Sequence, residues 1–273
     1  MDNKLRRVDS IDEISSVIAE IRSLRLGFVT NFYLDPVKLS LMISKGDCYA
    51  ERIDNSFFIV KRSSLFWNVY FCSTSLEQLV CDLPKFQEQY GQQTMMFDIV
   101  GSKVQCLPIV AGFQGCNCEI ESSFVRMKRL PDTTFEDPFE NKVIFADGTK
   151  VSEINHLLHV FFNERTEQIP YWEELLDFSQ KGQILEFEEK GVLAGFLIFE
   201  KSPSTLYLRY WFTLPDFREQ KVGSSLFRRF LEEGRDTKRQ LLWVNCSNEN
   251  AIKRYRHYGF AEENMFDYIM RFN

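Results

Sequence analysis

The sequence predicts an α+β fold made of two similar units, each a mixed, mostly antiparallel sheet flanked by helices. Three observations carry that prediction. Both halves run through the same order of patterns: two helices, three consecutive strands, then helix, strand, helix and strand. The halves also end alike, with Ala111-Gly112-Phe113 before the strand-like Phe124–Lys128 and Tyr258-Gly259-Phe260 before Tyr268–Arg271. Between them, the Pro- and Asp-containing stretch from Pro131 to Pro138 reads as a boundary, so the expected domains are 1–130 and 131–273.

In the first half, Ile14, Val17, Ile18 and Ile21 form one stripe of a helix over Asp12–Leu24, with Ser10 and Asp12 as candidate caps. A second helix follows Asp35-Pro36. Strands are expected at Cys48–Ile53, Phe57–Lys61 and Leu65–Phe71, a helix from near Ser75, and a strand at Thr94–Val100. In the second half, helices are expected at Val151–Phe162 and Tyr171–Phe178. Strands follow at Gln183–Glu188, Leu193–Glu200 and Leu206–Thr213, with Lys190-Gly191 as a hairpin turn. A helix over Val222–Glu233 places Val222, Leu226, Phe227, Phe230 and Leu231 on one face and stops at Gly234. Leu241–Asn245 reads as a strand and Ala251–Tyr258 as a short helix closed by Gly259.

Composition narrows the function classes. With 44% hydrophobic and 26% charged residues among 273, the chain is globular and long enough for two ordinary domains. Its 26 phenylalanines predict either aromatic cores or a wide aromatic pocket, and core is the usual fate of phenylalanine. A net charge of −6 gives no reason to expect nucleic acid as a partner. No apolar run is long enough to cross a bilayer, and the charged stretch Met1–Asp12 lacks a secretory h-region, so no membrane partner and a cytoplasmic location are expected. Cys48, Cys72, Cys81, Cys106, Cys116, Cys118 and Cys246 have irregular spacings and read as buried or free thiols. The Cys116-Asn117-Cys118 loop has no accompanying CxxC pair, and the histidines all lie in the other half. His156 and His159, three apart on a helix, lack a third ligand at fixed spacing and read as surface or packing residues, so no metal is expected.

Two segments carry chemistry. In Leu214-Pro215-Asp216-Phe217-Arg218-Glu219-Gln220-Lys221-Val222-Gly223-Ser224-Ser225-Leu226, a strand ends, a tight turn follows and a helix starts. The free N–H groups of a helix N-terminus attract phosphate, and Gly223 would let the backbone approach one closely. From Arg218 to Tyr258 there are ten Lys/Arg against five Asp/Glu, a local positive excess that suits a multiply charged ligand. A plain strand–helix turn with solvated basic residues is the alternative for this segment alone. The second segment is Asn248-Glu249-Asn250-Ala251-Ile252-Lys253-Arg254-Tyr255-Arg256-His257-Tyr258-Gly259-Phe260. Asn248 is placed to cap this helix, and Tyr255 shares a face with Ala251 and Tyr258.

Together these segments, over roughly Lys142–Asn273, resemble the GNAT (N-acetyltransferase) superfamily. The first matches its Arg-x-x-Gly-x-Gly motif, with Arg218 at the first position, Gly223 at the last, and Lys221 where the family has its first glycine. The second matches Asn-x-x-Ala-x-x-x-Tyr-x-x-x-Gly-Phe. The resemblance implies that acetyl-CoA is the co-substrate. It implies amides from Gln220, Lys221, Val222, Gly223, Ser224 and Ser225 for the CoA pyrophosphate, with Asn248 touching the pantetheine arm. It implies that Trp211, Phe212 and Thr213 pair with the pantetheine through their main chain, and that a strand amide steadies the thioester oxygen. It implies that Tyr255 protonates the departing thiolate, which a phenol can do.

Direct transfer also needs a base for the amine, and Leu206–Thr213 contains no acid. Strict alternation would put Tyr207, Arg209 and Trp211 on one face, where Tyr207 and Arg209 are candidate substrate contacts and Arg209 suits a carboxylate. Glu200 and Glu186 on neighbouring strands are possible bases, each more readily an ordinary surface acid. The first half keeps the order of elements but not the motifs. Cys72-Ser73-Thr74-Ser75-Leu76-Glu77 lacks glycine and arginine, and Lys103–Ala111 lacks tyrosine, so this half is expected to be a degenerate copy. It would form one wall of the acceptor site or serve as a structural partner only.

The leading expectation is an N-acyltransferase that moves an acetyl group to the primary amine of a small molecule or peptide. The alternative is a non-catalytic acyl-CoA-binding or regulatory protein, and a third reading is transfer of an aminoacyl or longer acyl group. Neither the acceptor nor the oligomeric state is specified by these residues.

Overall fold

A computed structural model describes residues 5–33, 35–132 and 142–273. The part of the expected boundary from 133 to 138 lies outside the described residues. The chain forms two compact units, one of Met1–Phe124 with Asn264–Asn273 and one of Val125–Glu263.

The first unit contains β1 (Arg6–Arg7), α1 (Ile11–Ser23), β2 (Val29–Thr30), α2 (Pro36–Ser44), β3 (Cys48–Ile53), β4 (Ser56–Arg62), β5 (Trp67–Ser73), α3 (Leu76–Tyr90), β6 (Met95–Gly101) and α4 (Lys103–Gly115). Local chemistry sets the helix starts. The Ser10 hydroxyl accepts from the Glu13 amide, and the Asp35 carboxylate accepts from Val37 ahead of Pro36 in the first turn. Strand β5 begins at Trp67 rather than at the expected Leu65, because Ser63 and Phe66 close a turn through a 3.1 Å main-chain bond. Strands β3, β4 and β5 form an antiparallel meander, and β5 then runs parallel to β6.

The second unit repeats this order with β8 (Val143–Phe145), α5 (Val151–Phe161), α6 (Trp172–Gln180), β9 (Ile184–Glu189), β10 (Val192–Lys201), β11 (Thr205–Thr213), a 3-10 turn (Pro215–Phe217), α7 (Val222–Glu233), β12 (Arg239–Asn245) and α8 (Glu249–His257). Its meander is β9–β10–β11, and β11 runs parallel to β12. Each sheet is thus mixed and mostly antiparallel, with a helix pair on one face and single crossover helices on the other. No helix among the described residues is long and apolar enough to cross a membrane.

The closing strands depart from the expected division. The last strand, β13 (Ala261–Phe272), pairs antiparallel with β6 from Phe266↔Gly101 to Phe272↔Met95, so Asn264–Asn273 belongs to the first unit. Strand β7 (Glu119–Arg129), which follows α4, stands next to β12 in strand order, and Val125–Arg129 belongs to the second unit. Pairing is made by backbone groups that every residue shares, so two alternating strands after similar Gly-Phe ends carry no label for their partners.

Phenylalanine fills the cores. Among the described residues, ten of the twelve largest fully buried side chains are Phe. In the first unit Phe58, Phe71, Phe86, Phe97 and Phe113 pack together, with Phe58 stacked on Phe86 at 4.4 Å. In the second unit Val151, Ile154 and Leu158 of α5 and Leu175 and Phe178 of α6 cover Phe196, Ile198, Tyr210 and Phe212. The opposite face takes α7, whose Val222, Leu226, Phe227, Phe230 and Leu231 are all buried, each worth roughly 1.5–3 kcal/mol of apolar burial.

Gly195 sets how closely α7 lies on that sheet. A Cβ there would stand 2.7 Å from the Phe212 carbonyl oxygen, 3.0 Å from Val222 and 3.1 Å from Leu226. Gly195→Ala is expected to lower stability by about 1–3 kcal/mol, the usual cost of overpacking. A denaturant midpoint equal to that of the wild type would contradict this seating of α7.

Candidate functional site

The turn from β11 into α7 leaves a helix N-terminus open. Lys221 is the N-cap of α7 with φ +60° and ψ +5°, a left-handed conformation, and its side chain makes no capping bond. The helix has no acid in its first turn, and the first amide held within it is that of Ser225, bonded to the Lys221 carbonyl at 2.9 Å. The amides of Val222, Gly223 and Ser224 therefore point out of the helix start with no partner of their own helix. Among the described residues, neither Arg218 nor Lys221 has an ion-pair partner, and both are exposed. Ser225 is buried, while Gln220 is exposed and donates from Nε2 to the Asp216 carbonyl at 3.1 Å.

Gly223 also has a packing role. A Cβ at Gly223 would stand 3.0 Å from Thr213 Oγ1 and 3.4 Å from the Trp211 ring, so its bareness brings the helix start down onto β11. The left-handed residue is Lys221, at the position where a glycine would adopt φ > 0 freely. The turn thus keeps a glycine-like conformation without the glycine.

The matching helix of the first unit is closed. There Ser75 caps α3, its hydroxyl accepting from the Gln78 amide at 3.1 Å, and the acidic Glu77 occupies the first turn. That carboxylate is held below its usual range by its own main-chain amide and by the Ser75 side chain. A side-chain oxygen and a carboxylate sit where an anionic ligand would have to go.

Strand β11 opens beside this helix. Its parallel ladder with β12 covers Thr205–Leu208 against Arg239–Leu242 and goes no further. On the other edge, β10 pairs Ile198 with Tyr210 but Phe199 with Leu208, so Arg209 is an extra, bulged residue. Ladder and register break at the same place. Beyond it, the β12-facing edge of Tyr210–Thr213 has unpaired main-chain groups, and Trp211, Phe212 and Thr213 lie along it.

The bulge corrects the expected face. Leu208 is opposite Phe199, which packs on Phe230 of α7, and Leu206 lies against Gly234 at the end of that helix. Trp211 also lies on the α7 side, stacked on Phe227 at 4.5 Å. Tyr207 therefore points to the α5–α6 side with Tyr210 and Phe212, and Tyr207, Arg209 and Trp211 do not share one face. The Arg209 guanidinium lies 5.5 Å from the Tyr207 ring and 3.2 Å from the Glu200 carboxylate, so it already has an anionic partner.

Tyr255 of α8 sits at the inner end of this opening, 8% exposed, with ring centroids 5.8 Å from Trp211 and 5.7 Å from Phe227. Burial raises its phenol well above the ordinary range, so it stays protonated. Arg254 lies over Trp211 at 5.5 Å, and the indole Nε1 of Trp211 is buried without a hydrogen-bond partner. Asn248 caps α8 as expected, its Oδ1 accepting from the Ala251 amide at 3.0 Å, and remains exposed.

The acids sort clearly. Glu200 is spent on Arg209. Glu186 is buried on β9, where desolvation raises its carboxyl and Lys150 offsets part of that. A third acid, Glu167, was missed by sequence reading. It lies in the loop between α5 and α6, where its amide bonds to the Asn163 carbonyl at 2.8 Å. The next residue, Gln168, accepts through its carbonyl from the Tyr210 hydroxyl at 2.6 Å. Nothing in Asn163-Glu164-Arg165-Thr166-Glu167-Gln168 singles out one acid, because the tie to β11 runs through a main-chain carbonyl. Among the described residues no group of three metal-ligating side chains occurs, and His159 pairs with Glu164. All seven cysteines are free thiols, five of them buried, with burial pushing Cys48 and Cys118 up to about 12.

The left-handed Lys221 can be tested directly. Lys221→Gly removes about 1–2 kcal/mol of backbone strain and adds about 0.5–1 kcal/mol of chain entropy loss. Stability within about 1 kcal/mol of the wild type is expected by chemical denaturation, whereas Lys221→Val is expected to lose at least that much. Equal tolerance of both variants would contradict a left-handed residue at this position.

Residues 151–260 match the Acetyltransferase (GNAT) family. No curated protein matches the sequence. Among solved structures, a tandem GNAT protein from the clavulanic acid biosynthesis pathway superposes with a TM-score of 0.61 at 10% identity, covering 98% of this chain and 97% of that one. A GCN5-related N-acetyltransferase from Sphaerobacter thermophilus gives 0.58 at 13% identity over 80% of this chain and 76% of its own. One from Kribbella flavida gives 0.58 at 9% identity over 86% and 92%. At such identities the structures speak for the fold, and the family match for the second unit. Residues 151–260 therefore carry the pattern of the acetyltransferase (GNAT) family, and the whole chain has the fold of a tandem GNAT protein.

Proposed function

We propose that the second unit transfers an acetyl group from acetyl-CoA to the primary amine of a small molecule or peptide. The observation that carries this reading is the convergence of three features in one unit: an uncapped helix start at α7, an unpaired strand edge beyond Leu208, and a buried, protonated Tyr255 between them. The fit to acetyl-CoA rests on that open helix start, on the unpaired charges of Arg218 and Lys221, and on the orphaned Trp211 Nε1 beside Gly223.

In this reading the free amides of Val222, Gly223 and Ser224 hold the pyrophosphate, while those of Gln220 and Ser225 are already bonded to the Phe217 and Lys221 carbonyls, and Arg218 and Lys221 add charge. The free main-chain groups of Trp211–Thr213 align the pantetheine as an added strand would, and Asn248 flanks it. The thioester is the activated acyl donor. A main-chain amide beside the Arg209 bulge faces the place where negative charge develops on its oxygen. Tyr255 gives its proton to the leaving sulfur, and its raised pKa keeps that proton in place until the thiolate forms.

Calorimetry with acetyl-CoA and thiol release over a panel of amines test the proposal. Binding in the micromolar range is expected, together with amine-dependent thiol release. Tyr255→Phe, which keeps the ring packing, is expected to lower kcat by roughly 10²–10⁴-fold without weakening acetyl-CoA binding. No binding at millimolar acetyl-CoA would sink the reading, and binding without turnover for any amine would favour a non-catalytic acyl-CoA-binding protein.

A further inference from the structure

The proposed reaction lacks a group that frees the attacking amine of its proton, and strand β11 supplies no acid. The geometry points to Glu167, on the loop between α5 and α6, as the catalytic base of the second unit. This inference rests on the acyltransfer reading above.

Three observations converge on it. The loop is fixed where the chemistry would occur. The Tyr210 hydroxyl, next to the bulged Arg209, donates to the Gln168 carbonyl at 2.6 Å and so ties the residue after Glu167 to the strand at the point where β11 leaves β12. The turn behind it is closed by main-chain bonds from Thr166 and Glu167 to the Asn163 carbonyl at 3.0 and 2.8 Å, and by Arg165 donating to the Asn163 side chain at 3.0 Å. Second, the Glu167 carboxyl lies within electrostatic reach of two hydroxyls on different elements, Tyr210 of β11 and Tyr255 of α8, and raises both. An acceptor bound between Glu167 and Tyr255 would meet a base at its nitrogen and an acid at the leaving sulfur.

Third, the other acids are occupied or displaced. Glu200 is paired with Arg209, and Glu186 is interior, with Lys150, Asp147, Glu188 and Glu153 as its charged neighbours. The titratable groups that feel the Glu167 charge are Tyr210 of β11 and Tyr255 of α8, while Glu164 on its own loop is turned to His159. Burial raises the Glu167 carboxyl above its usual range against a hydrogen bond from the Asn163 main chain, which brings it nearer the working pH of a base.

The protons balance. The Glu167 carboxylate takes one proton from the substrate ammonium, and the freed nitrogen pair forms the bond to the thioester carbon. The C–S bond breaks, its electrons go to sulfur, and sulfur takes the Tyr255 proton. The surplus proton on the new amide nitrogen restores the Tyr255 phenol through solvent, and Glu167 returns its own proton to water. One proton is released per amide formed.

The base must be deprotonated, so kcat/KM of the wild type is expected to fall as pH drops through the Glu167 pKa. Glu167→Gln is expected to lower kcat/KM at neutral pH by about 10²–10⁴-fold, to remove that acidic limb, and to leave acetyl-CoA affinity and the unfolding midpoint unchanged. Glu167→Asp is expected to recover part of the rate with the limb restored, which a merely structural role would not produce. Glu200→Gln is expected to retain the acidic limb. If the wild type turns over and Glu167→Gln keeps both its rate within threefold and its acidic limb, the assignment of Glu167 is wrong while the acyltransfer reading stands. If the wild type releases no thiol with any amine, the acyltransfer reading itself fails.

Discussion

The second unit depends on the parting of two parallel strands. Up to Leu208 and Leu242, β11 and β12 share a ladder. At the bulged Arg209 they separate, and the main chain of Tyr210–Thr213 loses its partner on that side. Unpaired backbone groups inside a folded unit are costly unless something else satisfies them. Every other feature of the candidate site borders this opening: the α7 start packs over Thr213 and Trp211 through Gly223, Tyr255 lies at its inner end, and the α5–α6 loop is tied to Tyr210.

The two copies show how little is needed to close such a site. Strand β5 also shares only a short parallel ladder with β6, at Trp67↔Met95 and Asn68↔Met96. What differs is the helix that follows. Ser75 satisfies the start of α3 from within the chain and Glu77 places a negative charge there, whereas α7 starts from a left-handed Lys221 with no cap. One hydroxyl and one carboxylate turn a potential anion cradle into an ordinary helix start. The fold survives because its core of stacked phenylalanines does not involve those positions.

Much of the fold was legible beforehand. Hydrophobic periodicity placed most of the longer helices and strands to within a few residues, since burial of one face is a local property of spacing, but β13 starts at Ala261, well before the expected Tyr268, and the short β1, β2 and β8 were not expected. The uncapped turn from Arg218 to Ser225 and the Asn248 cap were equally legible, because both are made by consecutive residues. The rest depended on partners distant in sequence. The bulge at Arg209 exists only in the register of β11 against β10, and it sends Tyr207 and Trp211 to opposite faces where strict alternation put them together. The contact of Gly223 with Thr213 and Trp211, which leaves little room for a Cβ, likewise depends on strand β11 and is not written in the turn itself.

Sequence alone therefore determined the element order, the repeat, the family resemblance of the second half and the residues of its two motifs, all of which reside in local spacing and residue type. Only the tertiary structure decided which strand closes each sheet, which face Arg209 and its neighbours present, and which loop is tied to Tyr210. The physical reason is the same in each case. Backbone hydrogen bonds are blind to side-chain identity, so the exchange of β7 and β13 and the tie from Tyr210 to the Gln168 carbonyl leave no mark in the residues that make them.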